Sequence, residues 1–189
     1  MKRGIRMNDL KEIRLHGRGG LGTVKAAETL VYAAVMDGRY GNSIPFFGFE
    51  RQGAPVTAFV RISDKPIRPK NRVYNPHAVV VIEPTIMNAV DIFEGIEEGA
   101  ILVLNTSLEL NKIEIDPKIK TVVTVDANKI AMEVIGRPIT NTVMLGAFVK
   151  ATGWVSLEKV SEKVEELWGE KNKEAVIKGF EEAVITQLK

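Results

Sequence analysis

A chain of 189 residues with 45% hydrophobic content is long enough to bury a core of its own, and residues 1–189 read as a single domain. Its 26 basic and 24 acidic residues leave a formal charge of +2 with no dense basic tract, which argues against a nucleic-acid surface. There is no cysteine, which excludes disulfides, a catalytic thiol and a thiolate-held iron–sulfur cluster in this chain. No apolar run reaches the ~20 residues of a membrane span and no signal-peptide core opens the chain, so the cytoplasm is the expected compartment.

Residues 1 to 10 read as a leader before a first strand, Lys11 to His16. The glycine turn Gly17-Arg18-Gly19-Gly20-Leu21-Gly22-Thr23 follows, and apolar residues at helical spacing then predict a helix from about Gly20 to Met36, stopped at Asp37-Gly38. Tyr40 to Ile44 reads as a short strand. Pro45 to Pro55 reads as a structured loop, in which Phe46, Phe47 and Phe49 surround Glu50, Arg51 and Gln52. Val56 to Ile62 alternates as a strand, and because no helix separates it from its predecessor the two are expected to pair antiparallel.

Ser63 to His77 holds three prolines and reads as an exposed connection with a short strand near Arg72 to Tyr74. Ala78 to Ile82 is a continuous apolar run of the kind covered on both faces, and Ala100 to Leu104 and Thr121 to Val125 read as two further buried strands. Helical spacing over Thr85 to Glu97 joins the first two, and the polar stretch Asn105 to Lys120 joins the second and third. Helices are then predicted at Ala127 to Ile135, Thr142 to Thr152, Ser156 to Trp168 and about Lys171 to Gln187. The pattern implies an α/β fold: three layers, α/β/α, around a mixed, mostly parallel sheet with a Rossmann-like first strand-turn-helix and a helical C-terminal third.

The chemistry suggested by the residues is anion binding. A glycine-rich strand-to-helix turn lets a ligand approach the backbone and leaves the helix's first amide N–H groups facing it, with Arg18 adding a charged fork. Gly17, Gly19 and Gly22 match the dinucleotide spacing GxGxxG, but no acidic residue ends the second strand, where Pro45 and Phe46 stand. Thr23 occupies the position where a phosphate-loop lysine is needed, which excludes a nucleotide triphosphatase. His16 and His77 are the only histidines, so no metal site is expected. No nucleophile elbow or paired carboxylates mark a catalytic residue in this chain. The Phe-rich loop, with Glu50 and Arg51, suits an interface or pocket rim.

The turn Gly17 to Gly22, the stretch Pro45 to Pro55, Phe59-Val60-Arg61-Ile62, Pro66-Ile67-Arg68, Asn75-Pro76 and the strand Val79 to Ile82 together resemble the gamma subunit of pyruvate and related 2-oxoacid:ferredoxin oxidoreductases. The likeness is specific over the first half of the chain, and the Asn141 to Gly146 helix start and the length also suit it. His77 departs from the acidic residue common after that proline. The resemblance implies a complex that oxidatively decarboxylates a 2-oxoacid, foremost pyruvate, to an acyl-coenzyme A with ferredoxin as electron acceptor. It further implies alpha, beta and delta-type partner subunits that carry the thiamine diphosphate and iron–sulfur clusters, and a gamma chain that supports assembly and the coenzyme A side of the site. On that reading Gly17, Arg18, Gly19, Gly20, Leu21, Gly22 and Thr23 hold a phosphate of coenzyme A, while Phe46, Phe47, Phe49, Glu50, Arg51 and Gln52 meet a partner. Two alternatives stay open at this point: an independent Rossmann-type nicotinamide or flavin oxidoreductase, and a purely structural interaction subunit. Self-association of the isolated chain is also left open.

Overall fold

The computed structural model describes residues 10–47 and 53–188. Among the described residues, seven strands form one sheet: β1 (Lys11–Arg18), β2 (Tyr40–Phe47), β3 (Pro55–Ser63), β4 (Ala78–Val81), β5 (Ala100–Asn105), β6 (Ile119–Val125) and β7 (Val184–Gln187), in the spatial order β2-β3-β1-β4-β5-β6-β7. β1, β4, β5 and β6 pair parallel, while β3 runs antiparallel to both β1 and β2, and β7 antiparallel to β6. The mixed α/β sheet is the one expected. Chain direction reverses its lateral progress at β1, since β2 and β3 lie to one side and β4 to β6 to the other. The C-terminal ends of β1 and β4 therefore flank a topological switch point, the usual ligand crevice of open α/β sheets.

The described residues also form five α-helices, α1 (Thr23–Met36), α2 (Ala127–Val134), α3 (Asn141–Thr152), α4 (Leu157–Trp168) and α5 (Glu170–Glu182), which share one core with one face of the sheet. Ile13, Leu15, Ala58, Val60, Val80 and Val123 supply that face, and Leu30, Val143, Phe148 and Val176 come from the helices. The third layer, over β4, β5 and β6, is made of 3-10 turns and loops, with Ile86, Ile92 and Ile96 packed on Val79, Val81, Leu102 and Leu104.

Four expectations are corrected here. Thr85 to Glu97 is not a helix: a five-residue 3-10 turn, Pro84–Asn88, is followed by irregular backbone. Asp91 accepts a hydrogen bond from the Phe93 amide, Gly95 takes φ +70°, and Arg14 captures the Ile92 and Glu94 carbonyls at 2.8 and 2.7 Å, which removes acceptors a helix would need. The last helix stops at Glu182, because Val184, Ile185 and Thr186 are better placed as β7, closing the β6 edge. Arg72 to Tyr74 forms no strand; the connection is instead tied down by Arg61, whose guanidinium donates to Asn71 O at 2.7 Å and Arg72 O at 3.2 Å. β2 also continues through Pro45, which edge-strand pairing tolerates because only one side of the strand is bonded.

Candidate functional site

The glycine turn lies at the switch point. β1 ends in Gly17 and Arg18, Gly19 and Gly20 turn the chain, and α1 begins at Thr23 after Gly22, whose φ of 73° is a left-handed conformation that a side chain resists. Gly22 is doubly constrained, since a Cβ there would also run into the Asn141 side chain. The first turn of α1 has neither a side-chain cap nor an acidic residue, so its amides face outward without an internal acceptor.

A second helix start arrives from far along the chain. α3 begins beside Gly22, and Asn141 Nδ2 donates to Gly22 O at 3.4 Å. It too lacks a side-chain cap and a first-turn acid. Asn105 fixes this geometry by donating to Ile82 O at 2.9 Å and accepting from Ala127 N at 3.0 Å, which locks the ends of β4 and β5 to α2. Three buried polar atoms around the two helix starts have no hydrogen-bond partner: Thr23 Oγ1, Asn141 Oδ1 and Thr142 Oγ1. Leaving such groups unpaired costs about 1–3 kcal/mol each, so their clustering marks a place arranged for something other than stability. Of these residues Asn141 lines a cavity of about 250 Å³, together with Gly20, Leu21, Gly22, Lys25 and Trp168 among others. A larger hollow of about 630 Å³ on the other face, between residues 84–93 and 104–117, shares none of these residues and none of the unpaired atoms.

Arg18 is engaged within the chain. Its Nε donates to Glu83 Oε2 at 2.9 Å and Thr85 Oγ1 at 3.0 Å, and its terminal nitrogens donate to Gly53 O at 3.0 Å and Thr85 O at 3.3 Å. Burial alone would push the Glu83 carboxyl upward, but hydrogen bonds from the Thr85 hydroxyl and amide and from Arg18 bring it below the ordinary glutamate value. Gly19 N donates to Ala54 O at 2.9 Å and Gly53 N to Gly19 O at 3.3 Å, so the glycine turn and the far end of the Phe-rich stretch are one unit. Sequence reading treats them as separate motifs. Phe46 is half-exposed on β2, Phe47 ends that strand, and Phe49, Glu50, Arg51 and Gln52 lie outside the described residues.

Neither histidine is placed for catalysis at the turn: His77 Nδ1 accepts from Glu12 N at 3.0 Å, and His16 is buried on the neighbouring sheet face. Among the described residues no group of His, Asp or Glu could hold a metal, and no helix is long and apolar enough to cross a membrane. Glu83, Asn105 and Thr142 escape sequence reading. A signal exists only for Glu83, in the Glu-Pro pair closing an apolar strand; the others become visible once the fold brings the strand ends and α3 to the turn.

Residues 12–184 match the family model described as pyruvate ferredoxin/flavodoxin oxidoreductase. The pyruvate/ketoisovalerate oxidoreductases common subunit gamma of Thermococcus kodakarensis is 48% identical over 185 residues, covering 94% of this chain and 99% of that one. Pyruvate synthase subunit PorC of Methanothermobacter thermautotrophicus is 47% identical over 175 residues, covering 90% of this chain and 94% of that one. The crystal structure of pyruvate oxidoreductase subunit PORC from Thermotoga maritima superposes with a TM-score of 0.84 at 36% identity, covering 95% of this chain and all of the other.

Proposed function

Because the chain belongs to the pyruvate ferredoxin/flavodoxin oxidoreductase family, we propose that its glycine turn holds a phosphate of coenzyme A for the complex it serves. The chain is a gamma-type subunit of a multi-subunit 2-oxoacid oxidoreductase. Residues 1–189 act as one domain, in the cytoplasm, alongside alpha, beta and delta-type subunits that carry thiamine diphosphate and iron–sulfur clusters. Such a complex breaks the C1–C2 bond of the oxoacid, releases carbon dioxide, joins the acyl group to the coenzyme A sulfur and passes the electrons to ferredoxin. Pyruvate is the foremost substrate, and oxoacid choice rests on the partners; the Thermococcus relative is by its description common to two oxidoreductases.

The observation that carries the reading is the meeting of two uncapped helix starts at Gly22 beside a cavity lined by Asn141, whose Oδ1 is buried and unpaired. The Gly20, Gly22 and Thr23 amides donate to the phosphate, the Leu21 amide being spent on Arg18 O at 3.2 Å within the turn, and the positive ends of α1 and α3 favour the phosphate's charge. Asn141 Oδ1, on a residue that lines the cavity, can accept and the neighbouring Thr142 hydroxyl can donate, which suits a ligand that bears both phosphate and N–H groups, as coenzyme A does. Arg18, held by Glu83 and Gly53, keeps the turn in shape and contributes its charge at the rim.

Titration of the assembled complex with coenzyme A tests this. Gly22→Ala, which forces a side chain into a left-handed site against Asn141, is expected to raise the half-saturating coenzyme A concentration tenfold or more with the oxoacid KM unchanged. Thr142→Val keeps shape and removes an unpaired hydroxyl, so it should fold at least as stably and still lose several-fold in coenzyme A affinity. An unchanged coenzyme A requirement in both variants reduces the turn to architecture.

A further inference from the structure

The even-numbered face of β1 carries Glu12, Arg14, His16 and Arg18, opposite the face that packs on α1. Register aligns Arg14 with Phe59 and His16 with Thr57 on β3, and Phe46 of β2 with Thr57. A pocket of about 140 Å³ opens here, with Arg14 and His16 at its base and Phe46, Phe59 and Tyr74 among its walls. Its base is unsatisfied. His16 is 2% exposed with neither ring nitrogen hydrogen-bonded, and Arg14, 5% exposed, leaves Nε without a partner while a terminal nitrogen holds the Ile92 and Glu94 carbonyls. Its mouth is open, with two aromatic walls beside charged ones: Phe46 and Tyr74 are each 52% exposed, and Asp91 and Glu94 are exposed next to them.

We propose that this pocket receives an Asp or Glu side chain of a partner subunit, with Phe46 and Tyr74 as the aromatic rim of that contact. The inference rests on the reading of the chain as a subunit of the oxidoreductase. Arg14 Nε–H can only donate, and it belongs to a buried cation, so the group that completes it presents an acceptor, and a carboxylate oxygen is the strongest. The Asp91 and Glu94 carboxylates stand exposed at the rim and leave Nε unpaired. The volume is well below the ~300 Å³ at which whole-ligand sites begin, but it takes a side-chain terminus. Half-exposed aromatics around a small desolvated polar base are the usual anatomy of an interface anchor point.

The experiment uses the full chain and its partner subunits, with hydrogen exchange at residues 72–74 and the His16 imidazole nitrogen shifts followed in the free chain and in the complex. Assembly is expected to protect 72–74 and shift the His16 nitrogens, and Phe46→Ser and Tyr74→Ser, both at exposed positions, should each weaken assembly tenfold or more. Arg14→Met should do the same, and the two rim variants keep the test valid if it fails to fold. Assembly that leaves 72–74 and His16 as in the free chain overturns the proposal while leaving the subunit reading intact; failure to assemble at all overturns the subunit reading itself. Acetate and propanoate titrated onto the free chain form the control. A His16 shift with either, together with assembly indifferent to the rim variants, identifies a site for small free carboxylates and likewise overturns the docking.

Discussion

Gly146→Ala and Gly179→Ala are each expected to destabilise the protein by several kcal/mol, far more than the ordinary cost or gain of a glycine-to-alanine change in a helix. α3 and α5 cross at these two residues. A Cβ at Gly146 would overlap the Val176 carbonyl oxygen, and one at Gly179 the Val143 carbonyl, so the obstacle in each case is helix backbone rather than a side chain that can turn aside. Helix propensity alone favours alanine by about 1 kcal/mol, which makes the sign of the result diagnostic. Overpacking between rigid elements costs roughly 1–3 kcal/mol, and more where backbones must separate. The helices also carry Val143 and Val176 of the main core and position Asn141 against Gly22, so loosening the crossing should weaken coenzyme A binding as well. Denaturant unfolding of both variants checks this; midpoints at or above the parent value would mean that the crossing is looser than its geometry implies.

Acid should destabilise the chain through His16 alone by several kcal/mol between neutrality and pH 4. Burial, and then the neighbouring Arg14 charge, lower the His16 pKa from 6.5 to about 3. Above about pH 6.5 the imidazole is neutral both folded and unfolded, and the group makes no contribution to the pH dependence. As pH falls from there to about 3 the unfolded chain holds one proton more than the folded one, and stability drops by about 1.4 kcal/mol for each unit. Below the folded value both states are charged and this loss levels off. His16→Gln removes the titration, so its stability should fall less steeply over pH 6 to 4, whatever its absolute value at pH 7. Parallel slopes for the two proteins would show that the His16 ring protonates in the folded state.

The strands were legible because their signal is local. Ala78 to Ile82, Ala100 to Leu104 and Thr121 to Val125 are short stretches rich in valine, isoleucine, leucine and threonine that suit buried strands, and the glycine turn announces the first strand-helix junction. What failed depends on distant partners. Thr85 to Glu97 has the spacing of a helix, but Arg14, 78 residues before Ile92, takes its carbonyls, and the third layer is irregular as a result. Val184 to Gln187 becomes a strand because β6 offers an edge, which the C-terminal sequence does not display. At the site, the turn was visible and its surroundings were not. Nothing near Arg18 in sequence announces Glu83, 65 residues away, and nothing near Gly22 announces Asn141, 119 residues away. By sequence the Phe-rich stretch reads as a loop, yet Pro45 to Phe47 complete an edge strand, while Gly53 and Ala54 bond back to the turn.

The most direct test is 2-oxoacid oxidation over a coenzyme A series, by complex assembled with this chain and by its partner subunits alone. If the chain is the gamma subunit and its turn serves coenzyme A, omitting it should abolish coenzyme A-dependent reduction of ferredoxin, and adding it back should restore a saturable dependence. Equal turnover with the same coenzyme A dependence in its absence would contradict the account, since the partners would then contain the whole coenzyme site.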